Sequence, residues 1–410
     1  MIRLPGPDLS AVDAARRLPA GPGRFLLHSA SDADDLGGTS FCGAFPARVV
    51  RGGVDDLADP FGAATRIGGF GVGFLGYDLG RRVERIPGRP LQGDALWFGG
   101  YDAVWRRDET TGECAVLGTD AAACDRLRWA LTAPVPLRAA PQLGPLIPEA
   151  APERHLAAVS RILDYIRAGD VYQANLARRL RAEIRVPGDP VELYARLPPA
   201  PFGAVLETAA SALVSNSPEL FLRVAGRRVE TRPIKGTRAA GVAPAVLRAD
   251  EKERAEHLMI VDLLRNDLGR VAEIGSVTVE DFCRVVSLPT VHHLVSTVAA
   301  RLRPEATLAD LLRATFPGGS ITGAPKVRAM EIIEELEPVA RGPYTGALGY
   351  VDWDGGMSLS IIIRTAELRA DALFLSVGGG IVADSDPARE LEETEEKAAA
   401  WRQALAATNR

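Results

Sequence analysis

The chain has 410 residues, of which 47% are hydrophobic and 25% are charged, and its formal net charge is -5 at pH 7. This length and composition allow a large core, so one large globular domain or two closely joined ones are expected. The net negative charge argues against binding to nucleic acid or a membrane surface, because both need clustered Lys and Arg. The expected ligand is therefore a small molecule.

The sequence also predicts no signal peptide, no membrane-spanning segment and no disulfide bonds. Residues 1–17 contain no apolar run of the kind found in signal peptides, and no later stretch approaches the length of a membrane span. The four cysteines lack CxxC spacing, so neither a disulfide framework nor a zinc site is expected. These features together predict a cytoplasmic protein.

The pattern along the chain predicts an α+β fold. Prolines crowd the segment 132–152, which predicts a connection between an N-terminal part (1–131) and a C-terminal catalytic part (153–410). Short alternating stretches predict strands and longer periodic stretches predict helices. The predicted strands include 212–224 and 357–368, and the predicted helices include 250–268, 325–337 and 387–407.

The first reactive groups lie in the segment 215–237. Glu219 follows Pro218 at the start of one predicted strand, and Lys235 lies in a predicted tight turn after the next strand. A hairpin can bring both side chains into one pocket. A nucleophilic lysine must lose its proton, so its pKa of ~10.4 has to be lowered by burial, nearby positive charge or a metal ion. By itself, the segment also fits an ordinary surface lysine in a turn.

Acidic side chains on two predicted helices indicate a metal site. Glu256 lies one turn before Ile260 on a strongly apolar helix, where a carboxylate is costly unless it is paired or binds a cation. Glu390, Glu393 and Lys397 share one face of the last helix. Oxygen ligands without Cys or a His cluster suit Mg²⁺. An exposed, ion-paired helix face is the alternative for the last helix.

Candidate anion-binding groups lie in the C-terminal part. Arg364 interrupts an apolar strand and can bind a carboxylate through two hydrogen bonds, and a run of three glycines follows the next strand. The glycine-rich loop 318–326 lacks a phosphate-loop signature but leads into a helix whose first amides favour an anion. The alternatives are a structural ion pair for Arg364, a plain turn for the glycines and an ordinary helix entry for the loop. With the metal, the two carboxylate-binding groups predict a dicarboxylate substrate.

Ten motifs in the same order resemble those of the chorismate-utilising enzymes, and most closely the aminodeoxychorismate synthase component I branch of that family. They are YQANL (172–176), SNSPE (215–219), PIKGT (233–237), EHLMIVDLLRNDLGRVA (256–272), VHHLVST (291–297), FPGGSITGAPKVRAMEIIEELEP (316–338), GALGY (346–350), IRT (363–365), GGGIVADS (378–385) and ELEETEEK (390–397). The resemblance is strong from about residue 153 onward and weaker before it. It implies a large two-sheet β core flanked by helices, like that of anthranilate synthase component I.

The resemblance also implies roles for individual residues. The implied catalytic residues are Lys235 as nucleophile, Glu219 as general acid and His293 as the active-site histidine. The implied magnesium ligands are Glu256, Glu390 and Glu393. The implied substrate-binding residues are Arg364, Tyr350, Gly378, Gly379, Gly380, Lys397, Thr322 and Gln173. Anthranilate and isochorismate synthases resemble one another in having alanine where Lys235 stands, and isochorismate-forming relatives have a lysine where Gln173 stands.

The reaction implied by this resemblance is conversion of chorismate and ammonia to 4-amino-4-deoxychorismate, the precursor of 4-aminobenzoate and folate. No segment resembles a glutamine amidotransferase, so a separate amidotransferase subunit, component II, is implied as the ammonia source. An aminodeoxychorismate lyase would act downstream. The competing hypotheses are anthranilate synthase component I and a non-catalytic sensor of an aromatic ligand.

A second ligand site is a weaker implication of the same resemblance. Ser29, Pro201 and Phe202 resemble positions of a tryptophan pocket in relatives, although the family's Asn-Pro-Ala-Pro-Phe begins here with Pro198. Ordinary core packing is the alternative for these positions.

Overall fold

The computed structural model describes residues 1–30, 38–91, 93–239, 241–287 and 291–408. The helices are α1 (Ala11–Arg17), α2 (Pro60–Thr65), α3 (Leu79–Glu84), α4 (Ala121–Thr132), α5 (Pro152–Ala168), α6 (Pro190–Tyr194), α7 (Pro244–Ala249), α8 (Glu251–Gly269), α9 (Leu308–Thr315), α10 (Lys326–Leu336) and α11 (Pro387–Thr408), with a short 3-10 helix at Gly319–Ile321. The strands are β1 (Ile2–Pro5), β2 (Phe25–His28), β3 (Thr39–Gly43), β4 (Arg48–Gly52), β5 (Phe70–Leu75), β6 (Leu96–Tyr101), β7 (Ala103–Asp108), β8 (Cys114–Gly118), β9 (Gln142–Leu143), β10 (Ile147–Pro148), β11 (Gln173–Val186), β12 (Phe202–Glu207), β13 (Ala212–Ser217), β14 (Leu220–Ala225), β15 (Arg228–Arg232), β16 (Ile234–Ala239), β17 (Thr278–Ser287), β18 (Val291–Arg301), β19 (Gly323–Ala324), β20 (Ala347–Val351), β21 (Met357–Ile361), β22 (Thr365–Leu368) and β23 (Ala372–Ile381).

The strands form two antiparallel sheets. The first sheet has the order β1-β8-β7-β3-β2-β12-β13-β22-β23-β11-β10, and β9 and β19 also pair with β11. The second sheet has the order β16-β18-β15-β14-β21-β20-β5-β6-β4, and β17 also pairs with β18. Both sheets combine strands from the beginning and the end of the chain, so neither sheet forms without long-range pairing.

The sheets pack face to face around an aromatic layer. Phe25 and Phe41 of the first sheet meet Phe70 and Trp97 of the second, and all four side chains are buried. Two further apolar clusters lie where helices cover the sheets, and Trp401 of α11 is fully buried in one of them. The predicted α+β class and the two-sheet core flanked by helices are confirmed.

The predicted helices agree with the structure because their signals are local. The carboxylate of Asp386 accepts hydrogen bonds from the amides of Ala388 and Arg389 at the start of α11 (3.1 and 3.0 Å), and Pro387 is the first helical residue. The predicted helix 250–268 corresponds to α8, which ends at Gly269. No helix in the described ranges is long and apolar enough to cross a membrane.

The two predicted long strands are wrong in one respect. The segment 212–224 divides into β13 and β14, and 357–368 divides into β21 and β22. In each case one half belongs to the first sheet and the other half to the second. Alternating burial looks alike in both sheets, so the sequence pattern does not reveal where the chain changes sheet.

Candidate active site

The site lies where two chain segments cross from one sheet to the other. Glu219 lies between β13 and β14, and Arg364 lies between β21 and β22. The crossings run side by side, because the amide of Asn216 donates to the carbonyl of Arg364 (3.1 Å) and the amide of Ile361 donates to that of Glu219 (3.0 Å). Long-range strand pairing therefore places an acid and a guanidinium next to each other.

Arg364 adopts a left-handed backbone conformation, with φ of 50°. A non-glycine residue in this region costs of order 1–3 kcal/mol and persists only where neighbours impose it. Its carbonyl is held by the Asn216 amide and by the indole Nε1 of Trp401 at 3.0 Å. Burial lowers the pKa of Arg364, although Glu219 opposes the shift. The guanidinium is thus a largely desolvated cation, suited to bind a carboxylate.

Glu219 is a buried carboxyl group with a strongly raised pKa. The hydroxyl of Ser320 donates to its Oε1 at 2.6 Å. Burial raises the pKa of Glu219 to about 7, while Ser320 and the cations Lys235 and Arg364 act in the opposite direction. A carboxylic acid with this pKa can donate a proton at neutral pH, as the predicted general acid must.

Lys235 lies on a strand and not in the predicted tight turn. It belongs to β16, which pairs with β18, and the register shifts just beyond it at Gly236, where φ is 63°. Its side chain is 14% exposed, and Nζ lies 2.9 Å from Glu256 Oε1. The interpretation as a surface lysine is therefore wrong.

The charge state of Lys235, which the sequence leaves open, is set by the neighbouring carboxylates. Burial by itself lowers the pKa of Lys235, but the Glu256 and Glu219 carboxylates outweigh burial, and the pKa is raised. The structure thus contains Lys235 as an ammonium paired with Glu256. Lys235 in turn affects Glu256. Burial raises the pKa of Glu256, but the positive charge of Lys235 outweighs burial, and the pKa is lowered.

Three carboxylates approach the glycine run from two helices. Gln173 Nε2 donates to Glu256 at 3.1 Å, and the hydroxyl of Ser385 donates to Glu390 at 2.6 Å. A Cβ built on Gly379 would lie 3.2 Å from Glu390 Oε2 and 3.4 Å from Glu393 Oε1. Both carboxylates therefore lie directly over this glycine, where any side chain would crowd them.

Lys397 completes this acidic group. Its Nζ lies 2.6 Å from Glu393 and donates to the carbonyl of Gly378 at 2.7 Å. Burial raises the pKa of Glu390, and the negative charge of Glu393 raises it further. The predicted common face of α11 thus exists, and it faces the glycine run.

The donor set suits a hard divalent cation, because it consists of carboxylate oxygens whose mutual repulsion a cation would relieve. In the described part of the chain, however, no three His, Cys, Asp or Glu side chains form a ready metal site. Glu256 pairs with Lys235, and Glu393 pairs with Lys397. Magnesium binding by Glu256, Glu390 and Glu393 stays a prediction.

The two adjacent histidines have different surroundings. His292 Nδ1 lies 2.8 Å from the hydroxyl of Ser287. Burial and, to a smaller extent, the positive charge of Arg364 together lower the pKa of His293 to about 4. The interaction with Arg364 places His293 on the side of the candidate site, and its imidazole is neutral at neutral pH.

The glycine run is the last part of strand β23 and is paired differently on its two edges. Gly378, Gly379 and Gly380 pair with β11. On the other edge, β22 pairs with β23 only at residues 373–375, within the ranges that the structure describes. The carbonyl of Gly378 accepts a hydrogen bond from Lys397 Nζ (2.7 Å), and carboxylate binding by the three glycines stays a prediction.

Two predicted substrate-binding residues do not fit that role. The hydroxyl of Thr322 is fully buried and donates to the carbonyl of Gly318 at 3.0 Å, so it holds the loop together. The ring of Tyr350 stacks on Phe70, with centroids 5.0 Å apart and an angle of 18°. Because β20 places Tyr350 in the aromatic layer, its prediction as a carboxylate-binding residue of this site is wrong.

Tyr350 instead lines a second cavity of about 210 Å³. The same cavity is lined by Ser29, Pro201 and Phe202, the residues whose positions resemble a tryptophan pocket in relatives. His28, Arg223 and several hydroxyl groups supply its polar wall. The four residues are thus together in space, and a tryptophan ligand there stays a prediction.

Three residues near the site were not singled out from the sequence. Ser320 binds the Glu219 carboxyl group, Trp401 holds the Arg364 carbonyl, and Arg341 holds the glycine-rich loop. A hydroxyl in a glycine-rich loop is a signal that could have identified Ser320. The other two contacts join residues far apart in sequence and have no local signal.

Arg341 connects four elements around this loop. It binds Glu337 through two hydrogen bonds (2.9 and 2.6 Å), and it donates to the carbonyls of Ile321 (3.0 Å) and Asn175 (2.8 Å) and to the Thr345 hydroxyl (3.1 Å). The side chains of the Arg341–Glu337 pair are only 3% and 5% exposed. Removing the cation would leave a buried carboxylate unpaired.

We expect Arg341→Met to lower the free energy of unfolding by about 3–5 kcal/mol, because it breaks one partner of a buried ion pair. Urea denaturation followed by circular dichroism measures this loss. Arg265→Met is the matched control, since the side chains of the Arg265–Asp262 pair are 50% and 72% exposed and such pairs contribute ~1 kcal/mol or less. Equal losses in both variants would contradict the prediction.

A desolvated arginine, a glycine run next to two carboxylates, a buried carboxyl group with a raised pKa and a lysine among carboxylates indicate an enzyme that acts on a small anionic substrate. Residues 53–403 match the profile of the family described as chorismate binding enzyme, and the chain belongs to this family of chorismate-utilising enzymes.

Relatives of two activities are similarly close. The chain is 42% identical over 387 residues to anthranilate synthase component 1 1 of Haloarcula marismortui, covering 85% of this chain and 76% of the relative. It is 43% identical over 343 residues to aminodeoxychorismate synthase component 1 of Klebsiella aerogenes, covering 80% and 75%. The crystal structure of anthranilate synthase component I from Streptococcus pneumoniae TIGR4 is 30% identical, covers 97% of this chain and 98% of that one, and superposes with a TM-score of 0.81.

Proposed function

We propose that this enzyme converts chorismate and ammonia to 4-amino-4-deoxychorismate through a covalent intermediate on Lys235. The observation that supports this most is the position of Lys235, which is buried, lies 2.9 Å from Glu256 and interacts electrostatically with Glu219. A lysine in this position can reach a substrate that Glu219 protonates. Overall identity cannot decide between the activities, because relatives named for each are 42% and 43% identical.

The lysine at position 235 favours aminodeoxychorismate formation over anthranilate formation. Anthranilate and isochorismate synthases resemble one another in having alanine where this chain has Lys235. Gln173 stands where isochorismate-forming relatives have a lysine that activates water, and here its amide donates to Glu256. A lysine nucleophile and a side chain that cannot act as a base therefore favour amination over hydration.

The proposed chemistry has two displacement steps. The free amine of Lys235 attacks C2 of the ring while the C4 hydroxyl departs, and Glu219 donates the proton that makes this leaving group water. Ammonia then forms a bond to C4 and the bond between C2 and Lys235 breaks, which releases the lysine. The sum is chorismate plus ammonia giving the amino product plus water, with the enolpyruvyl group retained. Lys235 must lose its proton before the first step.

The other residues bind and orient the substrate. Arg364 and the amides of Gly378, Gly379 and Gly380 would bind one carboxylate, and His293 would remain a neutral hydrogen-bonding group beside Arg364. A magnesium ion held by Glu256, Glu390 and Glu393 would supply positive charge for the ring carboxylate. Bound in this way, the reacting ring would lie between Glu219 and Lys235.

The partners follow from the reaction. Ammonia would come from glutamine through a separate amidotransferase subunit, and an aminodeoxychorismate lyase would convert the product to 4-aminobenzoate. Tryptophan in the second cavity would have a structural or regulatory role that is separate from the reaction.

Product analysis tests this function. The purified chain is incubated with chorismate, Mg²⁺ and ammonium chloride, and the products are identified by mass spectrometry with and without added aminodeoxychorismate lyase. We expect 4-amino-4-deoxychorismate without lyase, and 4-aminobenzoate plus pyruvate with it. Anthranilate formed without lyase would instead assign anthranilate synthase activity. No turnover together with tight tryptophan binding would favour an aromatic-ligand sensor.

A further inference from the structure

The hydrogen bond between Ser320 and Glu219 is well placed to control proton transfer. Ser320 lies in the short 3-10 helix of the glycine-rich loop, and its Oγ lies 2.6 Å from Glu219 Oε1. Both residues are buried, with 9% and 6% of their surface exposed. Among the residues that the structure describes, Ser320 is the hydrogen-bonding partner of this carboxyl group.

The loop that presents Ser320 is held at several points. The hydroxyl of Thr322 donates to Gly318 at the loop's start, and the guanidinium of Arg341 donates to the carbonyl of Ile321. The amide of Asn175 donates to the carbonyl of Thr322 at 2.8 Å. These bonds restrict the backbone on both sides of Ser320, so its hydroxyl has a defined position relative to Glu219.

The direction of this hydrogen bond determines which oxygen of Glu219 is free. An ionised carboxylate only accepts hydrogen bonds, so the Ser320 hydroxyl donates its hydrogen to Oε1. When Glu219 takes up a proton, Oε2 can accept it without any change in the serine, whereas protonation of Oε1 would require the serine hydroxyl to reorient. Hydrogen bonds to charged acceptors are also stronger than neutral ones, which increases this preference.

We propose that Ser320 is a positioning residue that keeps the transferable proton of Glu219 on Oε2. This inference rests on the proposed role of Glu219 as general acid. Ser320 itself does not exchange a proton with the substrate. It selects the carboxyl oxygen that faces the departing hydroxyl and holds the carboxyl plane in one orientation.

The charges around Glu219 are consistent with this role. Lys235 of β16, Arg364 before β22 and Lys397 of α11 favour the ionised carboxylate, as Ser320 does, and burial favours the protonated acid. The balance leaves the pKa of Glu219 at about 7. Because the Ser320 bond favours the ionised form, its loss raises the pKa further and makes Glu219 a weaker acid.

The pH profile of Ser320→Ala tests the proposal. With chorismate and ammonium as substrates, we expect kcat/KM of the variant to be roughly tenfold to a hundredfold lower below pH 7. We also expect the fall of kcat/KM on the alkaline side to move to higher pH by about one unit. Ser320→Thr retains the hydroxyl and should return this fall to its wild-type position. Thermal melting of each variant establishes that it is folded.

A second measurement separates positioning from general damage to the loop. In a Glu219→Gln background the carboxyl proton is absent, so adding Ser320→Ala should lower kcat/KM far less than it does in the wild type. Equal loss in both backgrounds would overturn the proposal. So would an alkaline fall that stays at the wild-type pH in a folded Ser320→Ala variant.

The Glu219→Gln variant distinguishes failure of the Ser320 proposal from failure of the proposed role of Glu219 as general acid. If Glu219 is not the general acid, Glu219→Gln retains wild-type activity and the wild-type alkaline fall, and both conclusions are overturned. If Glu219 is the acid but Ser320 does not position its proton, Glu219→Gln loses activity while Ser320→Ala leaves the alkaline fall unmoved.

Discussion

Lys235→Ala is expected to lower kcat for amination of chorismate by about a hundredfold or more, because the variant has no nucleophile to displace the C4 hydroxyl. Direct addition of ammonia at C4 would account for residual activity. The measurement is steady-state formation of 4-amino-4-deoxychorismate with a saturating ammonium salt. A wild-type rate in the variant would remove Lys235 from the mechanism.

The control for this variant must preserve the positive charge beside Glu256. Lys235→Arg keeps a cation for the Glu256 carboxylate but has a guanidinium, which is protonated at all relevant pH values and is not a nucleophile. We therefore expect Lys235→Arg to be nearly as impaired as Lys235→Ala. Recovery of most activity in Lys235→Arg would show that the charge is required and the nucleophile is not.

The covalent intermediate gives an independent readout. Wild-type enzyme mixed with chorismate and Mg²⁺ without ammonia, then quenched in acid, should contain a fraction whose mass is increased by that of chorismate minus water. Peptide mapping should locate the added mass on Lys235. Both lysine variants should lack it under the same conditions.

Glu219→Gln is expected to lower kcat by about 10²–10⁴-fold, which is the usual contribution of a general acid. The amide has nearly the same shape as the carboxyl group and can still accept the hydrogen bond from Ser320. The loss would therefore report the missing proton. Glu113→Gln is a control for the chemical change, because the Glu113 side chain is 58% exposed and the residue directly precedes β8, which lies next to the edge strand of the first sheet.

The pH dependence of the wild type should reflect the same group. Since the pKa of Glu219 is about 7, kcat/KM should fall as the pH rises through 7, because the acid form disappears. Glu219→Gln should lack this fall. His293, with a pKa of about 4, should contribute no transition near pH 6.5.

Stability should change in the direction that linkage requires. The pKa of Glu219 in the folded protein, about 7, lies above the ordinary value of 4.5. Its contribution to stability is thus fully present below pH 4.5 and is lost as the pH rises to about 7. At pH 8, Glu219→Gln should melt at a temperature at least as high as the wild type. A melting temperature of Glu219→Gln below that of the wild type at pH 8 would contradict the conclusion that the ionised Glu219 is destabilised by burial.

Much of the site could be predicted because its parts have strong local signals. The periodicity of α8 and α11 places Glu256, Glu390 and Glu393 on defined helix faces, and the cap at Asp386 sets the start of α11. Such signals depend on residues within one or two turns, so the sequence contains them in full. The motif order in turn indicates the family that the profile match confirms.

Other parts depend on contacts between distant residues. Whether Lys235 is a surface turn residue or a buried partner of Glu256 depends on pairing of β16 with β18. The resemblance predicts that Tyr350 binds the substrate together with Arg364, but pairing of β20 with β5 places its ring against Phe70 and beside the second cavity. Register between distant strands determines which face a side chain occupies, and no local pattern encodes it.

By itself, the sequence determined the fold class, the helix boundaries, the chemical groups and the family, because propensity, periodicity and motif order are properties of short segments. Only the tertiary structure decided that the chain changes sheet at Glu219 and Arg364, that Lys235 pairs with Glu256, and that Ser320 binds Glu219. These contacts form because the two sheets pack face to face. The charge states of the site residues follow from this packing, since burial and neighbouring charges set each pKa.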